Sequence, residues 1–403
     1  MMRKAALAAA LACGIAGSLP GCATMTQAGR GMAQTAAPAL APASVGALRF
    51  IGEQRIAHMT RFADTALGGF SGLDYDARRG HWVIESDDRC TRNPARFYEA
   101  ELDFDANAFH AIRFLGLRYF LDADGRDFAA AGNTGCQRLD AESIRIDPQD
   151  GSIWYSSEGD RRYGLDPFIR HATREGAVLA DLPLPQGFKV HRDAERGSRY
   201  NATFEGLAFA ADGRSLWASL EWPLYEDGPI PTPQHGAMVR ITQFQRDGKV
   251  LRQFAYPLDA IPAEPAPGKE AENGVSEILA LPDGELLVLE RATVQAADGH
   301  HENHVRLYAT ESRRASDVHA LPALAGASYT PAGKRLVQDF RAPGLPRVFN
   351  LEAMAFGAAR TPRHPGPGQR RQFRQDPGHP AAAVRSPALR IIPIGGIVNC
   401  FWR

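Results

Sequence analysis

Eight glutamates stand at two recurring places in this chain. Glu142, Glu205, Glu277 and Glu352 open short apolar segments, and Glu85, Glu158, Glu221 and Glu290 close the apolar segment that follows. Carboxylates brought together from separate segments repel one another, and a divalent cation is the simplest relief. Oxygen donors with little histidine or cysteine favour calcium, or magnesium, over zinc. The expected metal ligands are Glu142, Glu158, Glu205, Glu221, Glu277, Glu290 and Glu352, although placing Glu277 in register needs a shift of one residue. A second reading gives the same acids a purely structural task, accepting hydrogen bonds from loop amides of the neighbouring unit.

Other chemistry has less support. His300, His301, Glu302 and His304 lack the His-Glu-x-x-His spacing that sets two imidazoles on one helical face, and read as a solvated loop. No Gly-x-Ser-x-Gly elbow occurs. Cys90 and Arg96 have the spacing of a thiolate phosphatase loop, but the segment lacks its glycines. Cys90 and Cys136 suit a disulfide in an oxidising compartment.

The elements that must position these acids form a repeat. Ser71, Glu142, Glu205, Ser276 and Glu352 begin five related segments, 71, 63, 71 and 76 residues apart. Each is an alternating apolar strand, a turn and a returning strand. The turn is Asp150-Gly151, Asp212-Gly213 or Asp283-Gly284 in three of them. Asp-Gly supplies the positive dihedrals of a tight hairpin. Further alternating stretches, such as 237–244 and 304–309, raise each period to about four strands. Four-stranded sheets repeated about an axis predict an all-β fold, a β-propeller of five to six four-stranded blades. Radial repetition would then carry the acids to one mouth.

The 403 residues carry 46 basic and 46 acidic side chains, so no basic surplus points to nucleic acid. With 39 glycines and 28 prolines, turns are favoured over long helices. Residues 1–22 have early cations, an apolar stretch and Leu19-Pro20-Gly21-Cys22, which resembles a lipobox with Cys22 as the lipidation site. Residues 23–46 have a tether's composition, and 47–359 the repeat. These features predict a bacterial envelope protein in the periplasm, held at the outer membrane only through its lipid, and monomeric.

The phrases Phe204-Glu205-Gly206-Leu207-Ala208-Phe209, Leu139-Asp140-Ala141-Glu142-Ser143-Ile144, Val275-Ser276-Glu277-Ile278 and Asn350-Leu351-Glu352-Ala353-Met354 together resemble the phytase-like family, over about residues 58 to 358. The resemblance implies a β-propeller that hydrolyses a small ester or phosphoester with calcium assistance. It implies Glu205 and Glu142 as catalytic carboxylates, and Arg89, Arg138 and Arg291 as ligands of the substrate's phosphate. The alternative is a non-catalytic propeller that binds a ligand or partner protein at the envelope. Residues 360–403 depart from the family pattern, with eight arginines, seven prolines and one acid, Asp376. This segment is expected to be a degenerate, mostly disordered tail.

Overall fold

The computed structural model describes residues 45, 48–89, 92–128, 139–345, 350–357, 389–390, 394–395 and 398–402. All of these belong to the larger of two units, residues 42–403. The N-terminal leader with Cys22, the cysteines Cys90 and Cys136, and Arg138 lie outside the described residues.

Four four-stranded antiparallel sheets dominate the described residues. Blade I comprises Leu73–Asp76, His81–Ser86, Arg96–Phe104 and Phe109–Tyr119. Blade II comprises Ala141–Ile146, Ile153–Ser157, Phe168–Ala172 and Val178–Asp181. Blade III comprises Phe204–Phe209, Ser215–Leu220, Ala237–Gln245 and Val250–Leu258, and blade IV Ala271–Ala280, Leu286–Gln295, His301–Glu311 and Gly333–Asp339. Within each sheet the strands follow in chain order, the meander of a propeller blade. The hairpin glycines adopt positive φ, +83° at Gly151, +64° at Gly213 and +88° at Gly284. His301, Glu302 and His304 stand on the third strand of blade IV rather than in a loop.

The structure corrects the blade count to four. Among the described residues the fifth repeat, opened by Glu352, adds only Ala355–Phe356, paired with Leu389–Arg390. The remaining pieces are a hairpin at Arg61–Phe62 and Thr65–Ala66 and a three-stranded sheet of Phe50–Arg55, Val398–Trp402 and Ile394–Gly395. That sheet joins residues from near both ends of the described chain. Its two later strands, with Leu389–Arg390, fall in the segment expected to be disordered, and the rest of that segment lies outside the described residues.

The inner strands of neighbouring blades pack closely, and one arginine side chain lies where the four strands meet. Gly206 has no room for a side chain, since a Cβ there would lie 2.7 Å from the amide nitrogen of Ile278 in blade IV. Arg145, buried on the inner strand of blade II, donates to the carbonyls of Leu207 (2.6 Å), Leu73 (2.7 Å), Ile144 (2.9 Å) and Ile278 (3.4 Å). One guanidinium thereby ties the inner strands of all four blades. Its charge is met by Glu277 Oε2 at 2.5 Å. Around this pin the blades bury apolar inner faces, including Leu73, Ile144, Leu207 and Ile278.

Candidate functional site

Repetition carries the opening acids to one mouth: Glu142 and Glu205 share a register position on their inner strands, and Glu352 stands just before Ala355–Phe356. Ser71, Glu142, Glu205, Ser276 and Glu352 are equivalent, each two residues before a buried or paired position at the axis. Glu277 falls one residue later. Side chains alternate along a strand, so a single step sends it to the opposite face, toward Arg145 instead of the mouth.

Asp87, Asp140 and Glu142 offer carboxylate oxygens within 4.8 Å of one another, and Glu142, Glu158 and Glu205 do the same. Glu142 belongs to both groups, so five carboxylates form one continuous cluster. Arg291 extends it, approaching Glu221 Oε1 at 3.6 Å and Glu352 Oε1 at 3.9 Å. Arg89 caps the other side, 2.7 Å from Asp140 and 3.8 Å from Asp87. Seven carboxylates thus face two guanidiniums among the described residues.

Burial sets the protonation of this cluster. Glu142, Glu205 and Asp140 are pushed well above the usual carboxylate range, first by loss of water and then by neighbouring acids. Glu158 and Glu221 rise to about 8, with burial the leading cause in each. Glu352 rises to about 7 for the same reason, against the pull of Arg291. Without a counter-cation the mouth therefore retains protons at neutral pH.

Glu158 shows both readings of the acids at once. Its Oε1 accepts from the amide of Thr203, on the approach to blade III, at 2.5 Å. Its Oε2 is buried and has no hydrogen-bond partner among the described residues. An orphaned buried carboxylate oxygen beside two further glutamates fits an oxygen-loving divalent cation such as calcium.

The structure brings Glu142, Glu158, Glu205, Glu221, Glu352, Arg89 and Arg291 together, and places two expected ligands elsewhere. Glu277 is committed to Arg145 and to the amide of Ile278 at 2.8 Å. Glu290 does not end its strand, because the hairpin of blade IV runs on to Gln295. It instead accepts from Tyr256 of blade III (2.6 Å) and from Lys334 of its own blade (2.5 Å). Glu85, at the equivalent place in blade I, is capped by Ser71 Oγ at 2.7 Å, and burial holds its carboxyl well above the normal range. Sequence reasoning missed Asp87 and Asp140 as members of the cluster. The signal was present: Asp140 stands two residues before Glu142 and Asp87 two after Glu85, the spacing of one strand face.

A cleft of about 420 Å³ opens beside the cluster, with Asp87 and Arg89 in its wall. Arg89 is held at φ +48°, a left-handed conformation rare for a side chain of its size.

A family model described as "Phytase-like: Esterase-like activity of phytase" matches residues 65–364, which include all seven carboxylates and both arginines. The chain belongs to the phytase-like family. An uncharacterized secreted protein of Arthroderma benhamiae is 28% identical to this phytase-like chain over 197 residues, 41% of the chain and 37% of the relative. The chain thus spans little more than a third of that relative's length. Among solved structures, a candidate 6-phosphogluconolactonase from Bacteroides uniformis is 13% identical, covering 67% of this chain and 74% of its own, with a TM-score of 0.30. A Xanthomonas campestris gluconolactonase is 14% identical, covering 65% and 92%, with a TM-score of 0.25. Among the described residues, no helix is long and apolar enough to cross a membrane.

Proposed function

We propose that this phytase-like chain is a secreted hydrolase of esters or phosphoesters, assisted by a divalent cation at the mouth carboxylates. The observation that carries the reading is the cluster itself: seven carboxylates against two guanidiniums, with the orphaned Oε2 of Glu158 in their midst. Glu142, Glu158, Glu205, Asp87 and Asp140 would hold the cation, whose contribution is charge neutralisation and polarisation of the substrate oxygen. In the cation-free site Glu142 and Glu205, raised by burial and by neighbouring acids, hold protons that a bound cation would displace. Arg89 and Arg291 orient the anionic parts of the site by charge-assisted hydrogen bonds.

The leader's composition and the secreted relative support export, and the lipobox-like Leu19-Pro20-Gly21-Cys22 supports Cys22 as the site of lipid attachment. The test is calorimetric titration of calcium into wild type and Glu158→Gln, paired with hydrolysis of p-nitrophenyl acetate and p-nitrophenyl phosphate in calcium or chelator. Calcium binding weakened at least tenfold in the variant, and turnover lost in chelator, are expected. Absence of both binding and turnover would leave a non-catalytic propeller.

A further inference from the structure

The cleft beside the mouth differs in character from the mouth. Ile56, Met59, Leu67 and Phe70 give it an apolar wall, and Arg89 and Arg92 a cationic one. Its volume suits a small organic molecule, not a single ion. Two of its lining residues, Met59 (φ +63°) and Arg89 (φ +48°), hold left-handed backbone without being glycine. Such conformations persist where the surroundings enforce them, commonly at binding sites. Gly69 lets the backbone of Asp87, two residues before Arg89, approach closely, since a Cβ there would lie 2.2 Å from the carbonyl oxygen of Asp87.

The cations of this cleft are few and mostly engaged. Arg89 is bound to Asp140, and Arg96 to Asp88 at 2.6 Å. The amide of Arg92 donates to Asp88 Oδ1 at 2.8 Å, but its guanidinium has no carboxylate partner among the described residues and lies 3.9 Å from the sulfur of Met59. One uncommitted guanidinium against an apolar wall offers contact for a single anionic group, which suits an amphiphile over a polyanion. We propose that the cleft is the substrate subsite and takes an ester with one anionic group, at Arg92, and an apolar arm along Ile56, Met59, Leu67 and Phe70. This rests on the hydrolase reading for the reaction but not for binding. In the reaction the hydroxyl of water joins the acyl carbon or phosphorus, the ester oxygen bond breaks, and the second proton leaves with the alcohol.

Calorimetry with octyl phosphate below its micellar concentration, inorganic phosphate and inositol hexakisphosphate, all in chelator, reads binding without turnover. Each buried methylene is worth about fourfold in affinity. Octyl phosphate should therefore bind at least tenfold more tightly than inorganic phosphate, and the hexakisphosphate more weakly than octyl phosphate. Arg92→Gln and Met59→Ser, both at exposed positions, should each weaken octyl phosphate at least fivefold. The proposal is overturned if octyl phosphate gains less than tenfold over inorganic phosphate, if the hexakisphosphate binds as tightly, or if both variants bind like wild type. If these binding results hold while neither p-nitrophenyl octanoate nor p-nitrophenyl phosphate is turned over with calcium, the subsite stands and the hydrolase reading falls.

Discussion

Replacing Arg145 by methionine removes the one side chain that reaches all four inner strands. Removing one partner of a buried ion pair costs about 3–5 kcal/mol, because the other charge is left uncompensated. The carbonyls of Leu73, Leu207 and Ile278 also lose a donor, at about 1 kcal/mol or more each. The expected loss is thus on the order of 6–8 kcal/mol, a large part of the roughly 5–15 kcal/mol that holds a typical domain folded. Urea unfolding at 25 °C measures it, with Arg145→Lys as a milder companion that keeps the charge but not the planar fork. The loss should depend on pH. Burial already lifts Glu277 to about 7 despite Arg145, and without the guanidinium it rises further. A carboxyl raised in the folded state binds protons that the unfolded chain has released, so stability falls as pH climbs from about 4.5 through the folded value. In wild type that fall ends near 7, and in the variant it continues, so the gap between them widens above pH 7. Adding Glu277→Gln to Arg145→Met should recover part of the loss and flatten the gap. A loss under about 2 kcal/mol, or a gap constant from pH 5 to 9 and untouched by the second substitution, would falsify the assignment of Arg145 and Glu277 as an axial pin.

The mouth gives a second pH dependence of the same sign: Glu158 and Glu221 at about 8 and Glu352 at about 7 should make the cation-free protein less stable as pH rises from 4.5 to 8. Calcium opposes this, so its effect on Tm should be larger at pH 8.5 than at pH 6, and equal shifts at the two would contradict the cluster's role. Gly206→Ala forces a Cβ against the backbone of blade IV and should cost about 2 kcal/mol or more by denaturant unfolding, whereas a neutral result would mean the inner strands are not so close. Glu205→Gln should weaken calcium at least tenfold by calorimetry while Glu290→Gln lowers only stability; calcium lost with Glu290→Gln would place that residue at the mouth after all.

The repeating unit was legible because hairpin chemistry is local. Asp-Gly turns in three blades, a glycine turn at Gly80 in the first and alternating apolar residues define each strand pair within about fifteen residues, and the blades follow. Blade number was not, since it depends on how tightly inner strands approach the axis, which Gly206 and Arg145 decide through contacts with distant segments. Period-two alternation in blade IV was enough to remove Glu277 from the mouth, and the shift it required in the alignment was the warning. Glu290 gave no such sign: only the extra length of its hairpin, a tertiary matter, moves it from a strand end to a strand interior. Asp87 and Asp140 were readable by the same alternation, but searching only for repeated glutamates hid them.

The guanidinium at the centre makes the molecule one-sided. A wheel of sheets with an open hub can serve as a conduit, drawing solvent or ligand from one face to the other, whereas a stoppered hub leaves two faces that do not communicate through it. Among the described residues, passage along the axis would require Arg145 and Glu277 to part. The hairpin turns on the far face are tied to one another, Arg78 donating to the carbonyls of Pro148 and Gln149, and Gln149 to that of Gly213.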